Sequence, residues 1–213
     1  MDAVVIAGGR SVEVSNCEYY TLDGMAIRWR SGGNRIPGLR DSSSAITVSN
    51  SLFLAVRPLA FAGENAGCQL SLEDNTFVSM ILFTLGPRAA PTVRASKNVF
   101  VLRGLYDSRP RMGTIPTNRW TERQNLFYEP KGNAFASETV AIVPSATSRS
   151  VPLEFRQRWK PLVGQARRMT PEDFRITPAD AAATPSLSWE EIREYGIQPE
   201  TVGPGAKQAA RER

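Results

Sequence analysis

One eight-residue segment occurs five times within the first 127 residues, at 12–19, 46–53, 70–77, 93–100 and 120–127. Its pattern is apolar, any, apolar, polar, Asn or polar, small or Asn, any, aromatic. The fifth residues of the copies lie 34, 24, 23 and 27 residues apart, and they are Asn16, Asn50, Asp74, Lys97 and Gln124. A chain that repeats one segment in this way buries its apolar residues by stacking the copies on one another.

Each copy predicts a strand, a corner and an inward aromatic residue. The apolar residues alternate with a period of two, which indicates a strand with one buried face. The Asn-rich fifth and sixth positions predict a sharp bend, because Asn tolerates the left-handed backbone region. Copies stacked about 4.8 Å apart would place like side chains over one another. The sequence therefore predicts an asparagine ladder at the corner and a column of phenylalanine rings in the core.

Further short apolar runs would complete each repeat as additional strands. They lie at 3–6, 26–29, 59–61, 81–85 and 101–102. The interpretation is an all-β parallel β-helix, a solenoid of about five to six rungs. A β-sandwich and a leucine-rich repeat are the alternatives. A sandwich does not need residues that match by column, and a leucine-rich repeat requires several leucines in each copy.

The repeated strand-Asn-x-x-Phe pattern resembles the right-handed parallel β-helix superfamily of pectate-lyase-like proteins. The resemblance covers residues 1–135. It implies an extracytoplasmic protein that binds or cleaves polysaccharide, or that displays a rigid rod on a cell surface. We therefore expect residues 1–135 to form the rungs and residues 136–213 to form a separate C-terminal tail.

The tail is predicted to be irregular, partly helical, and to cap the end of the solenoid, which would otherwise expose an unpaired rung. A last strand is expected at 140–143. Short helices are expected at 153–161, after Thr170, and from Ser188 to Gly196, with an extended loop at 177–188. The stretches 174–179, 195–196 and 202–205 resemble the C-terminal region of large bacterial β-helix chains. The N-terminus shows no comparable cap, and the first rung begins almost at once. We therefore expect this chain either to lack upstream rungs or to be the C-terminal part of a longer protein, in which case the absence of a signal peptide is uninformative.

Composition excludes several kinds of site. The chain contains no histidine, which removes Ser-His-Asp and Cys-His catalysis and the commonest zinc ligand. Cys17 and Cys68 are too few for a Cys-rich metal site, and their disulfide state cannot be derived from the sequence. The net charge of +5 favours an anionic partner, or merely reflects a preference for arginine on the surface. The chain has no run of basic residues of the kind that indicates nucleic-acid binding, and it has no apolar run long enough to indicate membrane insertion.

The resemblance also raises a lyase hypothesis. Pectate lyases use Ca²⁺ and an arginine base, and their Arg-x-Pro-x-x-Arg motif is similar to the segment from Arg35 to Arg40. Against this, Asp23 and Asp41 are the nearest acids, whereas Ca²⁺ requires about 6–8 oxygen ligands. A solvated loop is the simpler interpretation, so we expect no cofactor unless the lyase alternative holds. The consecutive Glu73 and Asp74 are interpreted as a solvated corner.

Binding an acidic sugar requires fewer precisely placed side chains than cleaving one does. Five residues in or near the longest insertion are the candidates for contacting an acidic sugar, namely Arg28, Trp29, Arg30, Arg35 and Arg40. An aromatic platform beside guanidinium groups suits ring stacking and bidentate contact with a carboxylate. Alternatively, Trp29 is a core residue and the arginines are scattered.

The predicted function is therefore a non-catalytic binding or scaffold module for polysaccharide or a surface glycan. The alternatives are a divergent Ca²⁺-dependent polysaccharide lyase, or a module that contacts another protein or an upstream domain of a larger bacterial signalling or surface protein.

Overall fold

Short β-strands make up most of the fold. The computed structural model describes residues 4–6, 11–21, 25–30, 45–62, 68–87, 89–102, 104–107, 115, 117–128, 139–140, 145–150, 171–182 and 188–198. The strands are β1 (Val4–Ile6), β2 (Ser11–Ser15), β3 (Glu18–Thr21), β4 (Ile27–Arg30), β5 (Ala45–Ser49), β6 (Leu52–Ala55), β7 (Leu59–Ala62), β8 (Gln69–Glu73), β9 (Thr76–Val78), β10 (Ile81–Leu85), β11 (Thr92–Ser96), β12 (Val99–Val101), β13 (Gly104–Asp107), β14 (Trp120–Arg123), β15 (Leu126–Tyr128), β16 (Thr139–Val140) and β17 (Arg149–Ser150).

Helices are few and short in the described part of the chain. Two are 3₁₀ helices, Thr117–Arg119 and Pro171–Phe174, and two are α-helices, α1 (Pro178–Ala182) and α2 (Trp189–Ile192).

The strands form three sheets. From β1 to β16 each sheet takes every third strand of the chain, whereas β17 joins the third sheet beside β15. The first sheet has the order β1-β4-β7-β10-β13-β16, the second β14-β11-β8-β5-β2, and the third β17-β15-β12-β9-β6-β3. All these pairs are parallel except β13 and β16, which are antiparallel. We call a set of consecutive strands from the second, third and first sheets, such as β5, β6 and β7, a three-strand repeat. The predicted all-β class and parallel pairing are thus confirmed.

Two residues lie between each strand of the second sheet and the following strand, which belongs to the third sheet. The first of these two residues has a left-handed backbone conformation. The φ angles of these left-handed residues lie between 42° and 54°, and the residues are Asn16, Asn50, Asp74, Lys97 and Gln124. They occupy the column that the sequence predicted as a corner. The prediction is confirmed even where the residue is Lys or Gln, for which the left-handed region is strained. We call each of these residues a corner, and the five together the corner column.

From the second repeat onward the residue after each corner is fully buried, and from the third repeat onward it forms an amide ladder. Asn75 Nδ2 donates to Asn98 Oδ1, and Asn98 Nδ2 donates to Asn125 Oδ1, each at 3.0 Å. Each ladder oxygen also accepts a backbone N–H from the preceding repeat, as Asn98 Oδ1 does from Asn75. All three asparagines are fully buried. Because every amide is satisfied in this way, the polar column is compatible with the core.

The aromatic residue of each copy forms a second column inside the fold. The ring centroids of Phe53 and Phe77 are 4.8 Å apart, those of Phe77 and Phe100 5.5 Å, and those of Phe100 and Phe127 5.1 Å. Interplanar angles of 8° to 17° make these rings stacked. The rings, which belong to the third sheet, pack with inward aliphatic residues of the first and second sheets in one core. The predicted phenylalanine column is confirmed.

Residues 145–150 lie on the last described repeat. Ser148 Oγ accepts the backbone N–H of Asn125 at 3.0 Å and so continues the ladder, and β17 pairs with β15. The buried carboxylate of Glu122 binds this segment, because it accepts from Ser145 N, Ser148 Oγ and Asn125 Nδ2. Glu122 stands where the other copies carry an inward apolar residue. The polar exception in the repeat thus holds the segment that follows it.

The described helices of the tail cover a side of the stack. A second apolar cluster joins the outer face of the third sheet to residues 171–198, through Leu52, Val78, Val99, Val101 and Leu126 on the sheet and Phe174, Ile176, Ala181, Ile192 and Ile197 on the tail. The capping role assigned to the whole of residues 136–213 stays a prediction. Within the described tail, residues 145–150 lie on the last repeat, whereas residues 171–198 lie beside the third sheet.

Several local predictions need correction. The loop expected at 177–188 contains α1, because Thr177 N and Oγ1 both donate to Asp180 Oδ2 and cap the helix that Pro178 opens. Only a 3₁₀ helix, Pro171–Phe174, follows Thr170. The capping box at Ser188 is confirmed, but α2 ends at Ile192, well before Gly196.

Two predicted strands are also shifted. The strand predicted at 101–102 does not form. Residue 101 ends β12 in the third sheet, residue 102 follows β12, and the strand that the first sheet takes at this point is β13. Of the strand suggested at 140–143, Val140 ends β16, which is antiparallel to β13. Residues 141–143 and the helix predicted at 153–161 lie outside the described residues.

We expect Asn98→Ala to destabilise the protein by about 2–4 kcal/mol, because it leaves buried backbone groups at Asn75 and Leu72 without partners. The free energy of unfolding in urea measures this loss. Gln69→Ala, which removes an exposed amide from β8, is the matched control and should change stability by less than about 0.5 kcal/mol. Equal losses in the two variants would contradict the ladder's contribution.

We expect Gln124→Gly to stabilise the protein by about 0.5–1 kcal/mol, because glycine adopts the left-handed corner without the steric cost that glutamine bears. Thermal unfolding of the two proteins measures the difference. Gln69→Gly places the same substitution within a strand and should instead destabilise. A lower melting temperature for Gln124→Gly would show that the corner conformation is not strained.

Candidate binding surface

The structure separates the residues that the sequence grouped around β4. Trp29 is 4% exposed and packs in the core beside Ile27. Its indole is therefore not available for stacking on a sugar, and the core interpretation holds for this residue. Arg28 points to the opposite face of the strand, is half-buried, and its Nη2 atom lies 3.3 Å from Met25 Sδ. Arg30 ends β4, and its side chain lies outside the described part of the structure.

The proposed lyase residues cannot be placed. Arg35 and Arg40 lie in the segment 31–44, and Asp41 in the same segment, outside the described residues. Asp23 also lies outside them. The grouping of these residues with Arg28 stays a prediction.

The Glu73–Asp74 pair lies at a corner, as predicted. Glu73 is exposed at the end of β8, and Asp74 is the half-buried left-handed residue that follows. Burial, and secondarily the negative charge of Glu73, raises the pKa of the Asp74 carboxyl to about 6, although Lys97 opposes the shift. The two side chains belong to different columns and do not form a catalytic pair of carboxylates.

The outward side chains of the second sheet form an open surface, which we call the polar face. Strands β2, β5, β8, β11 and β14 contribute to it in constant register. One column is Glu13, Thr47, Ser71, Arg94 and Thr121, and the next is Ser15, Ser49, Glu73, Ser96 and Arg123. All ten side chains are exposed or half-buried. At the interstrand spacing of about 4.8 Å, the five strands present hydroxyl and charged groups along about 19 Å.

Charge is unevenly distributed over the polar face. Its acids are Glu13 on β2 and Glu73 on β8, and its bases are Arg94 on β11 and Arg123 on β14. The two arginines lie on neighbouring strands, two residues apart in register. That offset puts their Cα atoms about 8 Å apart, so that both guanidinium groups can reach one anionic group or two adjacent ones. The face has no net formal charge, but the end formed by β11 and β14 is basic.

The described residues offer little for nucleophilic or metal chemistry. Cys17 and Cys68 are both free. Burial raises the pKa of both thiols, that of Cys68 to about 12, so both stay protonated near neutral pH. Among the residues that the structure describes, no three His, Cys, Asp or Glu side chains are arranged to hold a metal ion. What the described surface can supply is hydrogen bonding and charge.

The polar face was not predicted from the sequence, because the candidate binding residues were those in or near the longest insertion. The outward positions of the five copies were already aligned, and their Ser and Thr content was a usable signal. The contact that Glu122 makes with the segment after the repeats was also not predicted. A charged residue in an otherwise apolar column indicated a local polar partner.

No protein-family model, curated protein or solved structure matches this chain. Within the described ranges, no helix is both long enough and apolar enough to cross a membrane.

Proposed function

We propose that the chain is a right-handed parallel β-helix that serves as a non-catalytic binding scaffold for carbohydrate outside the cytoplasm. The observation that supports the fold is that, from β1 to β15, the pairing is parallel and each sheet takes every third strand. Crossovers between parallel strands of one sheet are right-handed in about 98% of cases, which favours that hand. The extracytoplasmic setting and the superfamily follow from the sequence resemblance to pectate-lyase-like proteins.

The polar face carries the functional proposal. Serine and threonine hydroxyls recur at corresponding positions of successive strands, and the core beneath them is closely stacked. A rigid array of this kind loses little conformational entropy when a ligand binds. A polysaccharide presents hydroxyls along an extended chain and can meet several strands at once. Hydrogen bonding takes the place of the aromatic stacking first assigned to Trp29.

Acidic polysaccharide is the preferred ligand class. Arg94 and Arg123 form a basic end on the polar face, and the chain as a whole has a charge of +5. A guanidinium group binds a carboxylate through paired charge-assisted hydrogen bonds. The cluster predicted from sequence, Arg28, Arg30, Arg35 and Arg40, is the second candidate surface for the same ligand.

We expect the double variant Arg94→Ala/Arg123→Ala to weaken binding of polygalacturonate about tenfold or more, since each lost charge-assisted pair contributes about 1.5–3 kcal/mol. Isothermal titration at low and physiological salt measures the affinity. Arg193→Ala removes an exposed arginine from the tail and is the control, which should bind as the original chain does. If Arg35→Ala/Arg40→Ala abolishes binding and the polar-face variant does not, the binding site belongs to the insertion instead.

The lyase alternative predicts a different outcome. With Ca²⁺ and polygalacturonate, a lyase forms an unsaturated product that absorbs ultraviolet light, and Arg35→Ala and Arg40→Ala would each abolish it. We expect no such product from the original chain. Activity that is lost in both variants would overturn the non-catalytic proposal.

A protein-interaction scaffold is the remaining alternative. Its partner would be another protein or an upstream domain of the same larger chain. An empty glycan array together with direct, saturable binding of a purified protein would favour it over carbohydrate recognition. Neither nucleic-acid binding nor membrane insertion forms part of the proposal.

A further inference from the structure

Residues 194–198, which we call the strap, run across the strands of the stack instead of along them. Three successive backbone N–H groups of the strap donate to three successive repeats. The bonds are Gly196 N to Lys97 O at 2.8 Å, Ile197 N to Thr76 Oγ1 at 3.0 Å, and Gln198 N to Asn50 Oδ1 at 2.7 Å. The strap therefore follows the corner column, from the fourth corner back to the second.

The strap fits closely against the stack. Gly196 has a φ of 76°, and a Cβ atom added to it would lie 2.6 Å from Thr76 Oγ1 and 2.7 Å from Val99 Cγ2. Ile197 is 1% exposed within the apolar cluster on the third sheet. The strap thus depends on glycine for its approach and on Ile197 as an apolar anchor.

Charged groups converge where the strap crosses the corner. Lys97 Nζ lies 3.5 Å from Glu194 Oε2, and both side chains are partly exposed. Asp74 occupies the corner before Lys97. The charges that act on its carboxyl are Glu73 on β8, Lys97 on the next corner, and Glu194 on the strap.

We propose that the strap is a pH-sensitive clasp, which is held on the corner column while the Asp74 carboxyl is neutral and is loosened when that carboxyl ionises. An ionised Asp74 repels Glu194 and competes with it for Lys97, so two effects weaken the strap together. A loosened strap exposes apolar side chains of the third sheet, including Val78 and Val99. This device is independent of whether the polar face binds carbohydrate.

The direction of the pH dependence follows from the raised pKa of Asp74. The folded state binds this proton more tightly than the unfolded chain does, so the contribution of Asp74 to stability is full in acid. That contribution declines as the pH rises from the ordinary value of 3.8, and it is lost above about 6. Burial is the main cause of the raised pKa of Asp74, and the charge of Glu194 on the strap adds to it. Closing the strap therefore favours the neutral carboxyl, so the strap is tighter at pH 5 than at pH 7.

Hydrogen–deuterium exchange of a peptide spanning residues 194–198 tests the clasp. After correction for intrinsic exchange rates, we expect the fraction of open strap to rise about twofold between pH 5 and pH 7, because only the part of the shift that comes from the strap acts on its opening and the site is partly exposed. Peptides from β7 and β10, which belong to the first sheet, report global unfolding and serve as an internal reference. An unchanged open fraction in the original chain would overturn the proposal.

Variants assign the effect to the corner. Asp74→Asn keeps a residue that tolerates the left-handed region but cannot ionise, so its strap should stay closed at both pH values. Glu194→Gln should reduce the pH dependence, whereas Glu190→Gln, an exposed control on α2, should leave it unchanged. Gly196→Ala should open the strap at both pH values. A pH dependence as steep in Asp74→Asn as in the original chain would contradict the clasp.

Discussion

The left-handed residue at each corner is the constraint on which the stack depends. It turns the chain from the second sheet to the third without a loop, and it points the following side chain into the core. A non-glycine residue in this conformation costs about 1–2 kcal/mol. The ladder offsets that cost, because Asn98 alone makes five hydrogen bonds with backbone groups and neighbouring amides. Corner and ladder therefore stabilise each other.

Constant register follows from this corner and explains the rest of the core. Since each corner uses one residue, the aromatic residue three positions later falls over its counterpart in the next repeat, as Phe77 does over Phe53. Insertions occur elsewhere in the repeat, where they do not disturb the ladder. Outward positions carry no such constraint. The repeats thus fix the scaffold and leave the polar face free to vary in residue type.

Inward positions could be predicted from the sequence because five copies of the segment share one residue pattern. Asn98 and Phe100 were assigned correctly for this reason, and so was the corner at Lys97, whose residue type alone argues against it. Features without copies were harder to predict. Nothing in the sequence decided whether Trp29 faces the core, and residues 145–150 were missed because Ser148 replaces the expected asparagine. The cap of α1 at Thr177 was overlooked although it has the same Thr-Pro-x-Asp form as the segment from Thr170 to Asp173.

The corner column differs from the inward columns in one important respect. Its residues lie at the surface, so their side chains can differ in charge without breaking the stack, and Asn50, Asp74 and Lys97 do so. The strap bonds to the backbone or side chain at two of these three corners and passes the third. A charge placed at Asp74 therefore acts on the tail while the ladder beneath stays satisfied. This separation allows one position to respond to pH although its neighbours in the ladder must remain neutral amides.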